Sequence, residues 1–156
     1  MKSYSAIILA AGSGSRMHKI TSKCKILLDI NGKTLLEWHL TNLFNNGIYD
    51  ITIVVGYNSN TIINQIKKYN FELNIRFVFN QNYIKYGNAY SMYQGILDSG
   101  LQNNYLVIDG DFVYESQILN ELSNQKYANC VLVSKGDIND IECAKTLINN
   151  EGYVVM

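Results

Sequence analysis

The sequence contains no proline and, among 156 residues, only three cysteines, two histidines and one tryptophan. The cysteines, Cys24, Cys130 and Cys143, are odd in number and far apart, and no Cys-x-x-Cys pair occurs. That excludes a disulfide framework and suggests no zinc site; a reduced, cytoplasmic protein is the simplest account. An excess of one charge is missing too, because Lys+Arg and Asp+Glu number 13 each. The balance argues against a basic nucleic-acid-binding face and against an acidic disordered tail. No apolar run approaches the roughly 18–20 residues of a membrane span. The run Ala6–Ala11 is six residues long, short of a secretory h-region of about 7–15, and it reads as a first core strand. The absence of proline carries no functional reading of its own.

What is present is a chain with 47% apolar and 17% charged residues, enough to bury the core of about one domain. Strand-like and helix-like segments alternate. Tyr4–Ala10, Lys25–Ile30, Asp50–Gly56, Leu73–Phe79, Tyr105–Asp109 and Asn129–Ser134 are short apolar runs of the kind found in strands covered on both faces. Between them, Leu36, Leu40, Leu43 and Phe44 recur at helical spacing over Thr34–Asn46, with Gly47 as a stop. Ile62, Ile66 and Tyr69 mark a second helix, Tyr90–Leu97 a third and Ile118–Leu122 a fourth. The alternation predicts βαβ units and a Rossmann-like three-layer α/β/α domain with a mainly parallel sheet. The whole chain, 1–156, reads as one domain. After the turn signal Glu151-Gly152, Tyr153–Met156 begins what looks like a strand, which is either a final edge strand or the mark of a chain cut short.

The first strand runs directly into Leu9-Ala10-Ala11-Gly12-Ser13-Gly14-Ser15-Arg16. Small residues let a backbone approach a ligand, and glycines let successive N–H groups turn inward, so the loop can cradle phosphates. Arg16 adds a fixed fork of donors. A Walker A loop is absent, and a dinucleotide fingerprint would need glycine where Met17 stands. Lys25 opens the next apolar segment, where a loop could return to the phosphates. Gly56, at the end of a strand, is either a base contact or a plain turn. His39 reads as a satisfied core or surface histidine, and His18, after the glycine loop, as a weaker phosphate candidate.

These residues resemble the sugar-nucleotidyltransferase superfamily, whose opening pattern is Leu-Ala-Ala-Gly-x-Gly-x-Arg, then Pro-Lys-x-Leu, then Gly-Lys-x-Leu. The corresponding stretches are Leu9–Arg16, Cys24-Lys25-Ile26-Leu27 and Gly32-Lys33-Thr34-Leu35. Cys24 replaces the usual proline, a departure expected to loosen the loop carrying Lys25. Asn80-Gln81-Asn82-Tyr83 and Asn88-Ala89-Tyr90-Ser91-Met92 are similar to the phosphocholine cytidylyltransferase branch. Val107-Ile108-Asp109-Gly110-Asp111 resembles the superfamily's Gly-Asp metal motif at a strand end.

The resemblance implies a nucleotidyltransferase fold and a CTP-dependent cytidylyltransferase. Its substrates would be CTP, or another NTP, and a small phosphorylated acceptor such as phosphocholine, a phosphonate or phosphoglutamine. Pyrophosphate is released, and the product serves cell-surface or capsule decoration. Nucleotide binding falls to roughly 1–115 and the start of an acceptor-binding part to roughly 116–156. Leu9, Ala10, Ala11 and the backbone of Gly12, Ser13, Gly14 and Ser15 would hold the triphosphate. Arg16 would neutralise the leaving pyrophosphate, and Lys25 would bind the α-phosphate or the acceptor phosphate. Asp111 would hold Mg²⁺, a hard ion suited to carboxylate oxygens, with Asp109 beside it on the same side of the strand. Asn88, Ser91 and Gly56 are candidates for the base or ribose. The superfamily's second metal aspartate lies on a later strand, and neither Asp137 nor Asp140 has a matching context. The composition permits a homodimer, and neither nucleic acid nor membrane is an expected partner. Two alternatives stand: a sugar-1-phosphate nucleotidyltransferase using UTP, dTTP or GTP, and a truncated non-catalytic nucleotide-binding module.

Overall fold

A computed structural model describes residues 3–14, 24–100, 104–133 and 146–155. They divide into two compact units, Met1–Asn124 and Gln125–Met156.

The first unit is built on a parallel sheet of four strands, β1 (Tyr4–Ala10), β4 (Asp50–Val55), β5 (Asn74–Phe79) and β6 (Asn104–Asp109), in the order β5-β4-β1-β6. Helices α1 (Leu35–Asn45), α2 (Ser59–Ile66), α3 (Asn88–Ser99) and α4 (Gln117–Ser123) follow in chain order. The layers come from strand alternation. Ala6 and Ile8 of β1, with Ile51, Ile53 and Val55 of β4, pack with Leu36, Leu40 and Leu43 of α1, Ile62 of α2 and Leu119 of α4. Ile7, Ala11 and Val54 point the other way, with Leu9, Val78 and Ile96 against them. On that side α3 sits so close that a Cβ on Gly95 would lie 2.7 Å from Ile7 Cγ2. Burying both faces of β1 and β4 is what makes their sequences near-continuously apolar.

The helix boundaries have local causes. Thr34 caps α1, its Oγ1 accepting the Glu37 N–H at 3.1 Å. The helix ends at Gly47, φ +71°, where the Ile48 N–H reaches the Leu43 carbonyl and the Gly47 N–H that of Phe44, both at 3.0 Å, a Schellman closure.

Two expected strands differ. Lys25–Ile30 is a 3-10 turn (Lys25–Leu27) followed by β2 (Asp29–Ile30), which pairs antiparallel with β3 (Lys33–Thr34). The Asn31-Gly32 pair between them takes positive φ at both positions, 56° and 82°, so a tight hairpin reverses the chain before a longer strand can form. Over 129–133 no strand forms, and Val131, Leu132 and Val133 are exposed; with no pairing partner among the described residues, an apolar run alone does not make a strand. β5 and β6 flank the sheet and are less buried than the notion of two covered faces implies.

In the second unit β7 (Leu147–Ile148) and β8 (Val154–Val155) form an antiparallel hairpin. Asn149 closes it, its Oδ1 accepting the N–H groups of Glu151 and Tyr153. No helix among the described residues is long and apolar enough to cross a membrane.

Candidate functional site

The sheet order fixes where a site can form. From β1 the chain moves out through β4 to β5, then returns to pair β6 on the other side of β1. Between the carboxyl ends of β1 and β6 the order reverses, and open α/β sheets bind ligands in that crevice.

The floor of the crevice is stitched past the ends of the strands. The Leu9 carbonyl accepts the Gly110 N–H and the Ala11 carbonyl the Tyr57 N–H, both at 3.0 Å. Two glycines allow these approaches. A Cβ at Gly110 would lie 2.7 Å from the Leu9 oxygen; one at Gly56 would lie 2.7 Å from the Ala11 oxygen and 2.8 Å from Tyr83 Cδ1. Gly56 is thus where strand end, loop and Tyr83 crowd together.

Above this floor, Gly14 takes φ +63°, and the Lys25 side chain lies along it: a Cβ there would be 3.1 Å from Lys25 Cγ. Lys25 Nζ reaches Asp111 Oδ2 at 3.1 Å. Both side chains are partly exposed, so the pair adds no more than about 1 kcal/mol to the fold, and either charge is available to a ligand. Asp109 Oδ1 accepts a 2.8 Å bond from Asn88 Nδ2 at the start of α3. Burial, and next the neighbouring Asp111 charge, push the Asp109 carboxyl above its ordinary value, with the Asn88 bond opposing. The structure therefore gathers Gly12, Gly14, Lys25, Asn88, Asp109 and Asp111 around one crevice. Among the described residues no cluster of three or more His, Cys, Asp and Glu side chains accompanies them.

Other sequence candidates lie differently. Ser15, Arg16 and His18 fall outside the described residues. Leu9 and Ala10 lie within β1, Ala11 is buried and Ser13 follows Gly12 at the strand's end. Ser91 is buried, and its hydroxyl accepts from Asn80 Nδ2 at 2.9 Å. Asn80 is itself 1% exposed, and its Oδ1 accepts the Asn82 N–H. This pair anchors the loop that carries Tyr83 to Gly56. Cys24 holds φ −60°, the angle a proline would impose. It is buried beside Asn58, and burial raises its thiol pKa; residues 15–23, which lead into it, lie outside the described residues.

Two residues enter the site in roles the sequence did not suggest, and His39 is the satisfied core histidine it reads as in the sequence. His39 is 1% exposed, with Nε2 3.3 Å from the Gly110 carbonyl oxygen and Nδ1 3.3 Å from the Tyr114 hydroxyl. Burial lowers its pKa and raises that of Tyr114. The available signal was a histidine among the apolar positions of α1.

Comparisons with known proteins identify the family and the fold. The family described as MobA-like NTP transferase domain matches residues 6–145. A choline-phosphate cytidylyltransferase of Streptococcus pneumoniae is 35% identical over 123 residues, covering 78% of this chain and 51% of the relative. One from Haemophilus influenzae is 41% identical over 124 residues, covering 78% and 50%. The solved CTP:phosphocholine cytidylyltransferase from Streptococcus pneumoniae superposes with a TM-score of 0.59 at 36% identity, covering 73% of this chain and 48% of that one. The chain thus spans about half the length of the curated relatives it matches. The mainly parallel sheet with helices on both faces is the α/β fold expected from the sequence.

Proposed function

The chain belongs to the MobA-like NTP transferase domain family, and on that premise we propose that it binds CTP and transfers CMP to a small phosphorylated acceptor of the phosphocholine type. The observation that carries this reading is the convergence of the glycine loop, Lys25, Asp109 and Asp111 at the switch point of the sheet. The cytidylyltransferase relatives support the choice of base and acceptor.

In the proposed reaction an acceptor phosphate oxygen attacks the α-phosphorus of CTP. The new P–O bond forms as the bond to the bridging β-phosphate oxygen breaks, and pyrophosphate leaves. The attacking oxygen is already anionic near neutral pH, so no general base is required. Catalysis is then a matter of placement and charge. The backbone from Gly12 to Ser15 binds the triphosphate, Arg16 neutralises the leaving group, and Lys25 exchanges Asp111 for a phosphate oxygen. Asn88 orients Asp109 and faces the nucleoside; Ser91 acts through Asn80 on the loop bearing Tyr83. An all-oxygen donor pair at a partly exposed strand end fits Mg²⁺, which takes one or two carboxylates and completes its shell with phosphate oxygens and water. When bound by Asp111, with Asp109 beside it, the ion would offset the charge of the triphosphate. A role in decorating cell-surface polymers, with the reaction in the cytoplasm, follows from such an acceptor.

Calorimetric titration with CTP, UTP, GTP and ATP in the presence of Mg²⁺ tests the reading. Preference for CTP supports it and calls for pyrophosphate release with phosphocholine as acceptor. Preference for another base moves the assignment to a sugar-1-phosphate, and no binding removes the nucleotide site.

A further inference from the structure

We propose that His39 is a positioning residue for Asp111, fixing from inside the core the peptide that carries this carboxylate into the crevice. The inference rests on the nucleotide–Mg²⁺ reading of the site.

Gly110 stands between the two carboxylates, and its backbone is held at both ends. Its N–H donates to the Leu9 carbonyl at 3.0 Å, and its carbonyl lies 3.3 Å from His39 Nε2. That carbonyl belongs to the peptide joining Gly110 to Asp111, so the histidine sets the plane from which the Asp111 side chain departs. Both ring nitrogens are engaged. With Nε2–H donating to the carbonyl, Nδ1 accepts from the Tyr114 hydroxyl at 3.3 Å, which selects one neutral tautomer. Burial disfavours the charged form of both partners, with the Gly110 bond and the Asp111 charge opposing it at His39.

The histidine is part of a row. Asn42 Nδ2 donates to the Tyr114 carbonyl at 3.3 Å, and Asn46 Nδ2 to the Ser116 carbonyl at 3.2 Å and to its hydroxyl at 2.8 Å. Positions 39 and 42 share one face of α1 and Asn46 caps its C-terminal end, so a single helix and its cap grip the segment after β6 at Gly110, Tyr114 and Ser116. Between the first two grips, Phe112 and Val113 are about 60% exposed and lend little packing. Asp111 therefore has the stitched floor on one side and the helix row on the other. A leucine at position 39 would fill the core at no desolvation cost; the polar group is explained by what it holds. Groups that orient a metal ligand in this way are commonly worth about 10–100-fold in metal affinity.

The test is calorimetric titration of this chain with CTP across a Mg²⁺ series, and in EDTA, for the native protein, His39→Leu and His39→Gln, each checked by a far-UV melt. His39→Leu should melt cooperatively, bind CTP in EDTA like the native chain, and need about tenfold or more Mg²⁺ for half-maximal binding. His39→Gln, whose amide N–H can still donate to Gly110, should recover most of that shift. An unchanged Mg²⁺ midpoint in folded His39→Leu overturns the inference, as does a glutamine variant no better than leucine. If His39→Leu fails to fold, Tyr114→Phe decides. It should raise the midpoint roughly threefold, the worth of one neutral hydrogen bond, and no rise overturns the proposal. A native chain that binds no nucleotide at any Mg²⁺ concentration instead overturns the underlying site reading, and this inference with it.

Discussion

Replacing Gly110 by alanine tests whether the crevice floor depends on the close approach of β6 to β1. The glycine has no positive φ, so alanine is conformationally allowed and the cost is steric. Its Cβ would sit 2.7 Å from the Leu9 carbonyl oxygen and 3.1 Å from Ile26 Cδ1. The first neighbour is backbone and cannot rotate away, so the end of one strand must move. Such overpacking costs about 1–3 kcal/mol. The displaced strand weakens the Gly110–Leu9 hydrogen bond, worth about 1 kcal/mol. Against this, alanine restricts the unfolded chain and returns about 0.4–1 kcal/mol. The net is about 1–3 kcal/mol of lost stability, a drop in Tm of roughly 2–12 °C for a chain of this size. Gly12→Ala is the control for stability, because nothing lies within 4 Å of its Cβ position and its φ is ordinary. Thermal melts followed by circular dichroism provide the assay. A Gly110→Ala protein melting level with Gly12→Ala and with the native chain refutes the argument that the floor is sterically closed.

Gly95→Ala should also lower Tm, although alanine favours a helix by about 1 kcal/mol, because its methyl would meet fully buried Ile7 and Val54 at 2.7 and 3.1 Å; a raised Tm would mean that α3 can lift freely from the sheet. Lys25→Met should leave Tm nearly unchanged, its ion pair being half-exposed. In calorimetry with Mg²⁺ it should weaken CTP binding by about 1.5–3 kcal/mol, the worth of a charge-assisted contact; native-like affinity would remove Lys25 from the site. The His39 pKa is lowered by burial, so below its unfolded value of about 6.5 the unfolded chain takes up a proton that the folded one resists. Stability is full above that pH and falls as pH drops toward the folded value. Asp109, shifted upward, acts in the opposite sense, with stability lost as pH rises above its unfolded value. The difference between native and His39→Gln melting curves from pH 7 to pH 5 isolates the histidine, and equal acid losses would contradict its burial as a neutral ring.

The segments legible in the sequence were those where one physical cause dominates. β1 and β4 are buried on both faces, so their apolar runs announce them. The end of α1 is written in Gly47, which supplies the positive φ of the Schellman closure. Lys25–Ile30 was misread because its apolar content was weighed and the adjacent Asn31-Gly32 hairpin signal was not. Asn129–Ser134 shows the same error, since an apolar run becomes a strand only when a neighbour accepts its hydrogen bonds. Within the candidate site, the glycine loop, Lys25 and the two aspartates stand out in sequence because their spacing is local. The pairings Lys25–Asp111, Asn80–Ser91 and His39–Gly110 span 86, 11 and 71 positions. Pairings of that kind are set by the order of strands in the sheet, which no local pattern encodes.

That strand order has a consequence for synthesis. Leu9 is in register with Asp109, a residue made a hundred positions later, whereas β4 and β5 meet their partners much sooner. On the ribosome, β1, β4 and β5 can pair with α1 and α2 in place while the β6 side of β1 is still empty. The turn at Gly12–Gly14 then faces no carboxylate. Slow, long-range closure by β6 is the step that brings Asp109 and Asp111 up to Lys25, so a nascent chain halted before that strand would hold most of its core and lack the acidic half of its crevice.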